Sequence, residues 1–200
     1  MKMRRAYEEE NPLALSTRKN IYGVVEANPG LHFREIQRRL DIATGALQYH
    51  LEYLAKFHFV RTERQGKFLR YYSTKTPSLG PNQRLMNALR QPPLRKILLF
   101  LLSKRHASVH RIAREVGLSA STISWHMHKL TDEQLVTRTS QKGQTVYAVT
   151  DKKSAAEFVK SYRDSFLDRL VDNFVTLWDQ SAQTIGNGRV PKSFDYPRNN

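Results

Sequence analysis

A histidine follows an aromatic residue in two stretches of the chain that both have the pattern of a helix. His50 lies in TGALQYHLEYL, residues 44–54, and His126 lies in STISWHMHKL, residues 121–130. A histidine in such a place can bind a metal, contact a phosphate or a base edge, or pack its ring beside the core. The two histidines are 126 − 50 = 76 residues apart, and this offset relates most of the first 150 residues.

The sequence lacks the residue patterns that metal binding or catalysis usually requires. The chain has no cysteine, which excludes disulfides, thiolate zinc sites and a cysteine nucleophile. No carboxylate is placed directly beside His50 or His126, His128 points to another face than His126, and no HExxH, GxSxG, P-loop or GxGxxG pattern occurs. We therefore expect no metal, no cofactor and no enzymatic activity. A packed ring is the favoured interpretation of both aromatic-flanked histidines, with a phosphate or base contact second.

The charge of the chain is strongly positive and unevenly placed. Among 200 residues, 33 Lys and Arg stand against 18 Asp and Glu, a net charge of +15, while 40% of the residues are apolar, enough to build cores. Residues 1–78 carry 14 basic and 8 acidic side chains, a net of +6; residues 79–150 carry 11 and 3, a net of +8; residues 151–200 carry 8 and 7, a net of +1. A folded protein this basic favours a polyanionic partner, with nucleic acid first and an anionic membrane surface second.

Neither the first residues nor any apolar run predicts membrane insertion. The longest apolar run, ILLFLL at residues 97–102, is far shorter than the roughly 20 residues of a membrane span. The first residues, MKMRRAYEEENP, are charged where a signal peptide has its apolar core. We expect a soluble cytoplasmic protein, associated with the nucleoid if DNA is its partner.

The chain contains an internal repeat. Residues 18–74 align with residues 94–150 without a gap, and apolar positions are matched throughout. Nine aligned positions are identical: Ile21/Ile97, Ile36/Ile112, Arg38/Arg114, His50/His126, Leu54/Leu130, Val60/Val136, Gln65/Gln141, Tyr71/Tyr147 and Thr74/Thr150. The ungapped register predicts two copies of one structural unit.

Each copy has the same predicted order of elements: three short helices, then two alternating strands around a glycine-containing turn. Copy one begins at STRKNIYGVVEAN, where Ser16 or Thr17 is the expected N-cap, and its third helix is expected at about residues 44–58. A three-residue turn separates the second and third helices, DIA in copy one and GLS in copy two. Asp41 and Gly117 suit the left-handed conformation that such a turn needs.

The stretch IAREVGLSASTISWHMHKL resembles the helix-turn-helix core of bacterial and archaeal winged-helix transcription regulators, a broad superfamily that includes the ArsR and MarR types. The tandem arrangement is similar to archaeal regulators that carry two such domains in one chain. The resemblance covers about residues 17–150. Copy one departs from it, because Gln37 stands where copy two has Ala113, and Asp41 stands where copy two has Gly117.

The resemblance implies that the third helix of each copy enters a major groove of double-stranded DNA. The implied base-reading residues are Thr44, Gly45, Gln48, Tyr49, His50, Ser119, Ser121, Ser124, Trp125, His126 and His128. The implied contacts to the DNA backbone, including those from the hairpin wings, come from Arg34, Arg38, Arg39, Arg61, Arg64, Lys67, Arg70, Arg111, Arg114, Arg138 and Lys142. None of the implied base-reading residues is an arginine, so strong contacts to guanine are not expected from the third helices.

The segment after the second copy has a helical pattern of its own. From Lys153 to about Thr184 it contains no proline or glycine, and apolar residues recur every three or four positions. The stripe is formed by Val159, Tyr162, Phe166, Leu170, Phe174 and Trp178. We expect one long amphipathic helix, which either pairs with a second protomer or packs on its own winged domains. Pairing is favoured because the segment is nearly neutral and regulators of the resembled type commonly dimerise through terminal helices.

These patterns together predict a mainly α fold with small β-hairpin wings, in which two tandem winged helix-turn-helix domains precede a long C-terminal helix. The expected map is a flexible arm at 1–15, domains at 16–76 and 93–150, a partly helical linker at 77–92, the C-terminal helix at 151–185 and a disordered tail at 186–200. The expected function is sequence-specific transcription regulation on double-stranded DNA, as a homodimer and with the transcription machinery as a further partner. The alternatives are an architectural or replication-associated DNA protein and, last, a protein–protein scaffold.

Overall fold

The computed structural model describes residue 13 and residues 15–66, 68–75, 79–80 and 82–185. The chain divides into two compact units, with the boundary between Leu79 and Gly80, inside the predicted linker. Most of the arm predicted at 1–15 and the whole tail predicted at 186–200 lie outside the described residues. Each unit is described by itself below.

The first unit contains three helices and a small antiparallel sheet, in the order that the sequence predicts. Its elements are α1 (Ser16–Ala27), β1 (Leu31–His32), α2 (Phe33–Leu40), α3 (Thr44–Lys56), β2 (Val60–Gln65) and β3 (Phe68–Ser73). The strand order is β1-β3-β2, with Val60 opposite Ser73 in the hairpin and Leu31 opposite Tyr71 at the added edge. The two-residue strand β1 is not predicted by the sequence, because it is too short to show an alternating pattern.

The second unit repeats this arrangement after one additional helix. Its elements are α4 (Asn82–Leu89), α5 (Pro92–Ser103), α6 (Val109–Val116), α7 (Ala120–Asp132), β4 (Val136–Gln141), β5 (Gln144–Val149), α8 (Lys152–Ser161), α9 (Arg163–Phe166) and α10 (Arg169–Ile185). The 76-residue offset holds in the sheet, because Ala107 bridges Tyr147 where Leu31 pairs with Tyr71 in the first unit. The repeat inferred from the sequence is therefore a structural repeat.

The matched apolar positions form the core of each unit. Ile21, Leu47 and Leu54 are fully buried in the first unit, and their partners at residues 97, 123 and 130 are fully buried in the second. Removing this apolar surface from water is the main favourable contribution to folding. The core fixes which faces of α3 and α7 point outward, and those faces carry the candidate site.

The turn between the second and third helices has the conformation expected from the sequence. Asp41 has φ 48° and Gly117 has φ 74°, and each follows the last residue of its helix. In the first unit the Gln37 Nε2 donates to the Ile42 carbonyl at 3.2 Å and to Thr44 Oγ1 at 2.9 Å. Gln37 therefore braces this turn with hydrogen bonds.

The linker predicted to be partly helical contains one helix among its described residues. α4 buries Leu85, Met86, Ala88 and Leu89 against the second unit, where it packs on α5. Arg84 Nη1 donates to the Gln134 Oε1 at 3.0 Å, just after α7. The α4 part of the linker is therefore an integral part of the second unit.

The structure divides the helix predicted at 151–185 into three. α8 ends at Ser161, and Leu167, at φ 49°, terminates α9 in a left-handed conformation. The Arg90 guanidinium donates to the Ser165 carbonyl at 2.7 Å, and Arg95 pairs with Asp168 at 2.6 Å. These tertiary contacts hold the chain at the break, although no proline or glycine marks it in the sequence.

The apolar stripe of the C-terminal segment is largely buried within its own unit. Val159, Phe166 and Phe174 are buried, while Tyr162 and Trp178 are half-buried. α10 packs on α5 and α8, so the stripe completes the core of the second unit. Packing in cis was the less favoured alternative in the sequence. Most of the stripe therefore has packing partners in its own chain, and its role in a homodimer stays a prediction.

Candidate nucleic-acid interface

The start of α7 is a cluster of hydroxyl groups. Ser119 is the N-cap, and its Oγ accepts a hydrogen bond from the Thr122 amide at 3.1 Å. The same Oγ lies 2.9 Å from Ser121 Oγ and 2.7 Å from Thr122 Oγ1. Serine is favoured at the N-cap because its side-chain oxygen accepts a hydrogen bond from an amide of the first turn that has no partner within the helix. The result is a small, polar helix start that a DNA backbone can approach closely.

The outer face of α7 carries most of the predicted reading residues. Ile123, Met127 and Leu130 face the core, so the opposite face of the helix points to solvent. The exposed set is Ser119, Ser121, Ser124, Trp125 and His128. Trp125 is 64% exposed, so its ring is available for contact on this face.

His126 does not belong to this exposed face, which corrects the reading role expected for it. It is 9% exposed, and its ring meets the Trp125 ring edge to face at 4.9 Å. Burial lowers the pKa of His126, and the charge of Lys129 lowers it further. Its Nδ1 is buried without a hydrogen-bond partner among the described residues. The buried ring agrees with the packed-ring interpretation, while its Nδ1 adds a polar atom that no described residue binds.

His50 has the same surroundings in the first unit, although it is less buried. Its ring meets the Tyr49 ring edge to face at 5.2 Å, and its buried Nδ1 also has no partner within the described residues. Burial lowers the pKa of His50, and the charge of Arg18 lowers it further. Both histidines are therefore held in the neutral form beside an exposed aromatic ring.

The outer face of α3 carries the other predicted reading residues. Thr44, Gly45, Gln48 and Tyr49 are exposed. The Gln48 Nε2 donates to the Glu52 Oε1 at 3.0 Å, so one amide hydrogen is already engaged by a carboxylate on the same face. This acidic group has no counterpart on α7, where the aligned position is His128. The nearest carboxylate on α7 is Asp132, one turn further along the helix, where it lies 3.3 Å from His128.

The residues predicted to contact the DNA backbone differ in their exposure. Seven of them are exposed: Arg34, Arg38, Arg64, Arg111, Arg114, Arg138 and Lys142. Arg39 is half-buried and donates to the Asn28 Oδ1 at 2.8 Å, and Arg61 pairs with Glu63. Lys67 lies outside the described residues. The exposed group borders the two reading helices and the wings.

Arg70 is a structural residue, which corrects the wing role expected for it. It is 2% exposed and lies on β3. Its Nη1 donates to the Gly30 carbonyl at 2.7 Å, and its Nε donates to the Gln65 Oε1 at 2.6 Å. The guanidinium thus ties the hairpin to the loop before β1. The partner at Gly30 is 40 residues away in sequence, so no local pattern predicts this burial.

Arg18 on α1 was not singled out by the sequence. It is 8% exposed, with its Cζ 4.0 Å from the centre of the Tyr53 ring. The Nε and Nη1 atoms are buried and have no hydrogen-bond partner among the described residues. The alignment of the two copies could have singled it out, because Arg18 aligns with Leu94 and a cation thus stands where the other copy has an apolar core residue.

The described residues contain no group of three or more His, Asp or Glu side chains placed to hold a metal ion. In the same part of the chain, no helix is long and apolar enough to cross a membrane.

Comparison with known proteins agrees with this geometry. A family model described as an N-terminal HTH domain matches residues 15–80, and a model described as winged helix-turn-helix DNA-binding matches residues 93–137. The chain carries two winged helix-turn-helix domains in tandem. The domain built on α1 to β3 is called winged domain 1 below, and the domain built on α5 to β5 is called winged domain 2.

Two individual proteins are similar to parts of the chain. An uncharacterized HTH-type transcriptional regulator of Methanocaldococcus jannaschii is 26% identical over 144 residues, which are 72% of this chain and 36% of that protein. The chain thus matches about a third of the length of that relative. The cadmium metal-sensor CMTR of Mycobacterium tuberculosis is 31% identical over a region that covers 39% of this chain and 80% of that one, with a TM-score of 0.35. Superposition at that score does not bear on the site.

Proposed function

We propose that this protein is a sequence-specific transcription regulator that binds double-stranded DNA through α3 and α7. The observation that carries the proposal is the outer face of α7, where small polar side chains and the exposed Trp125 lie between exposed arginines. A helix with this face suits the major groove, whose edges present hydrogen-bond groups and thymine methyls. The match to a DNA-binding family model over residues 93–137 supports it.

Winged domain 2 is the stronger reader in this proposal. Ser121 and Ser124 can exchange hydrogen bonds with several bases, and the Trp125 ring can pack on thymine methyl groups. His128 is exposed at the next turn, near Asp132 at 3.3 Å. The hydroxyl-lined start of α7 lets the helix approach phosphates with the positive end of its dipole.

Winged domain 1 contributes less, because its reading face contains a carboxylate. Glu52 repels phosphates and accepts hydrogen bonds only from base amino groups, of which cytosine N4 is the usual partner. Gln48, bonded to Glu52, presents its amide in a fixed orientation. Domain 1 therefore discriminates among bases at a cost in affinity.

The exposed cations supply affinity without sequence information. Each arginine or lysine that replaces a counterion at a phosphate strengthens binding and steepens its salt dependence. Arg111 and Arg114 border α7, and Arg138 and Lys142 lie on the wing of domain 2. Contacts of this kind position the domain on the duplex.

The deciding experiment is selection of bound duplexes from a random pool at about 150 mM salt, where non-specific binding is weak. An enriched motif is expected, and it should weaken when Trp125 is replaced by alanine. Binding without enrichment would favour the architectural alternative, which the arginine-free reading helices keep open. Absence of binding would refute the DNA assignment.

The homodimer, the transcription-machinery partner and the cytoplasmic, nucleoid-associated location remain parts of the proposal. Most of the stripe on α8 to α10 packs within its own chain, and its role in the homodimer stays a prediction. Sedimentation of the full chain, free and with the selected duplex, measures the assembly state. A two-fold symmetric motif with a dimeric complex would support the homodimer, whereas a single asymmetric motif bound by one chain would exclude it.

A further inference from the structure

The start of α1 in winged domain 1 has no side-chain cap. The helix begins after Leu15, whose side chain cannot accept a hydrogen bond, so the caps expected at Ser16 or Thr17 are not formed. The Lys19 amide donates to the Leu15 carbonyl at 3.0 Å, which leaves the amides of Ser16, Thr17 and Arg18 ahead of the intrahelical ladder. No acidic residue lies in this first turn. No acidic side chain within this turn of the helix therefore compensates the positive end of the helix dipole.

Arg18, in the same turn, is a second and independent indication of a missing anion. Its guanidinium stacks on Tyr53, but an aromatic face accepts no hydrogen bond from the edge of the group. The buried Nε and Nη1 therefore carry donor hydrogens that no described residue accepts. A buried charged donor without an acceptor is unfavourable, and an anionic oxygen would remove this cost.

Winged domain 2 shows that packing alone does not require an arginine here. The residues aligned with Ser16, Thr17 and Arg18 are Pro92, Pro93 and Leu94. Proline has no amide hydrogen, and Leu94 is fully buried in the core. At the same place in the fold, domain 2 thus lacks two amide donors and the cation. Domain 1 keeps all of them.

We propose that the first turn of α1, together with Arg18, is an anion-binding site of winged domain 1 that takes a phosphate or carboxylate group. Two sources can supply that group: a phosphate of bound DNA, or the glutamates at positions 8–10 of this chain. Both meet the same donors, so the site is defined by its chemistry. It does not depend on the proposed regulatory function.

The test is titration of the full chain with inorganic phosphate at constant ionic strength, followed by the amide resonances of Ser16, Thr17 and Arg18. Saturable shifts are expected in the wild type. Arg18→Leu copies the residue that domain 2 accepts and should fold, but should bind phosphate roughly tenfold more weakly. Lys19→Leu removes an exposed charge from the same helix and should leave binding nearly unchanged.

Two further arms identify the source of the anion. If the chain's own glutamates fill the site, the wild type will show no shift, and the triple variant E8Q/E9Q/E10Q will bind phosphate. If DNA supplies the phosphate, Arg18→Leu will reduce the salt dependence of duplex binding by about one unit of slope. No saturable shift in either the wild type or the triple variant would overturn the site, even if the protein binds DNA.

Discussion

At the scale of single residues, we expect Trp125 and Arg138 to separate base reading from backbone contact. Trp125 lies on the outer face of α7 and Arg138 on the wing, and both are exposed. We expect Trp125→Ala to change the enriched motif and to cost about 1–3 kcal/mol on the preferred site. Arg138→Ala should weaken all duplexes alike and lower the salt slope by about 1. Fluorescence anisotropy on the selected and a scrambled duplex measures both effects, and equal losses on the two duplexes for Trp125→Ala would contradict its reading role.

His126 predicts how stability changes with pH. Its pKa is lowered by burial and then by Lys129, so the folded state binds the proton less readily than the unfolded state. Stability contributed by this group is therefore present above the unfolded pKa, near 6.5, and is lost as the pH falls from there towards the lower folded pKa. Urea unfolding at pH 7.5 and at pH 5.0 measures this loss.

The matched control for that prediction is His126→Phe. The buried Nδ1 has no partner among the described residues, so phenylalanine removes a titrating group without breaking a hydrogen bond to it. The variant should lose part of the pH dependence that the wild type shows between these two values. A pH dependence identical to that of the wild type would mean that His126 does not titrate in this range.

The residues that the sequence misplaces are those whose partners lie far away along the chain. Arg70 and Arg64 are both arginines of one hairpin, yet Arg70 is buried because the Gly30 carbonyl lies within reach, and Arg64 is exposed. His126 follows the exposed Trp125, but the rotation from one residue to the next along α7 turns it inward beside Met127. Residue type and helical period predict the third helices and most of their exposed faces. They do not resolve positions at the margin of a face.

At the scale of the elements, substitution by alanine is expected to have opposite effects on stability at two glycines. Gly117 has φ 74° in the turn before α7, whereas Gly23 is exposed within α1 and has no other atoms within 4 Å of an added Cβ. Gly117→Ala should lower the free energy of unfolding by about 1–2 kcal/mol, because an L-residue is strained at that φ. Gly23→Ala should raise it by roughly 0.5–1 kcal/mol through helix propensity. Denaturant unfolding of both variants tests the assignment, and a stabilising Gly117→Ala would exclude the left-handed turn.

The C-terminal segment shows why tertiary contacts matter more than pattern at this scale. Its apolar period continues from Val159 to Trp178, so the sequence favours one helix. The break at Leu167 arises where Arg90 and Arg95 bind Ser165 and Asp168, some 73 to 75 residues away in sequence. The apolar stripe correctly predicts a buried face, but it cannot say which chain covers that face.

Phe174 provides a direct test of packing in cis. It is 2% exposed on α10, which packs on α5 and α8. Phe174→Ala should destabilise the second unit by about 3–5 kcal/mol, because the truncation leaves a cavity. For an intrachain contact this loss is independent of protein concentration, whereas loss of a dimer contact depends on it. Thermal unfolding at two concentrations a hundredfold apart distinguishes these outcomes.

At the scale of the whole molecule, the repeat supplies two domains of one architecture with different outer surfaces. Domain 1 has Glu52 on its reading helix and Glu63 paired with Arg61 on its hairpin. Domain 2 has serines and Trp125 on its reading helix and a wing whose cations are exposed. In a protein with two such domains, one domain that binds DNA strongly is enough for a specific DNA site. The other domain can then have a different role. The anion site proposed at Arg18 is one such difference.

Unequal contributions of the two domains can be measured with matched double variants. Arg111→Gln with Arg138→Gln removes two exposed cations from domain 2, and Arg34→Gln with Arg64→Gln removes two from domain 1, so net charge falls equally. If the overall electrostatic field of the protein alone determined its affinity for DNA, both double variants would lose the same amount of affinity. We expect the domain 2 pair to bind the selected duplex roughly tenfold more weakly than the domain 1 pair, with a salt slope reduced by about 2. Equal losses and equal slopes, measured by anisotropy from 50 to 200 mM salt, would mean that both domains contact DNA alike and that Glu52 does not weaken domain 1.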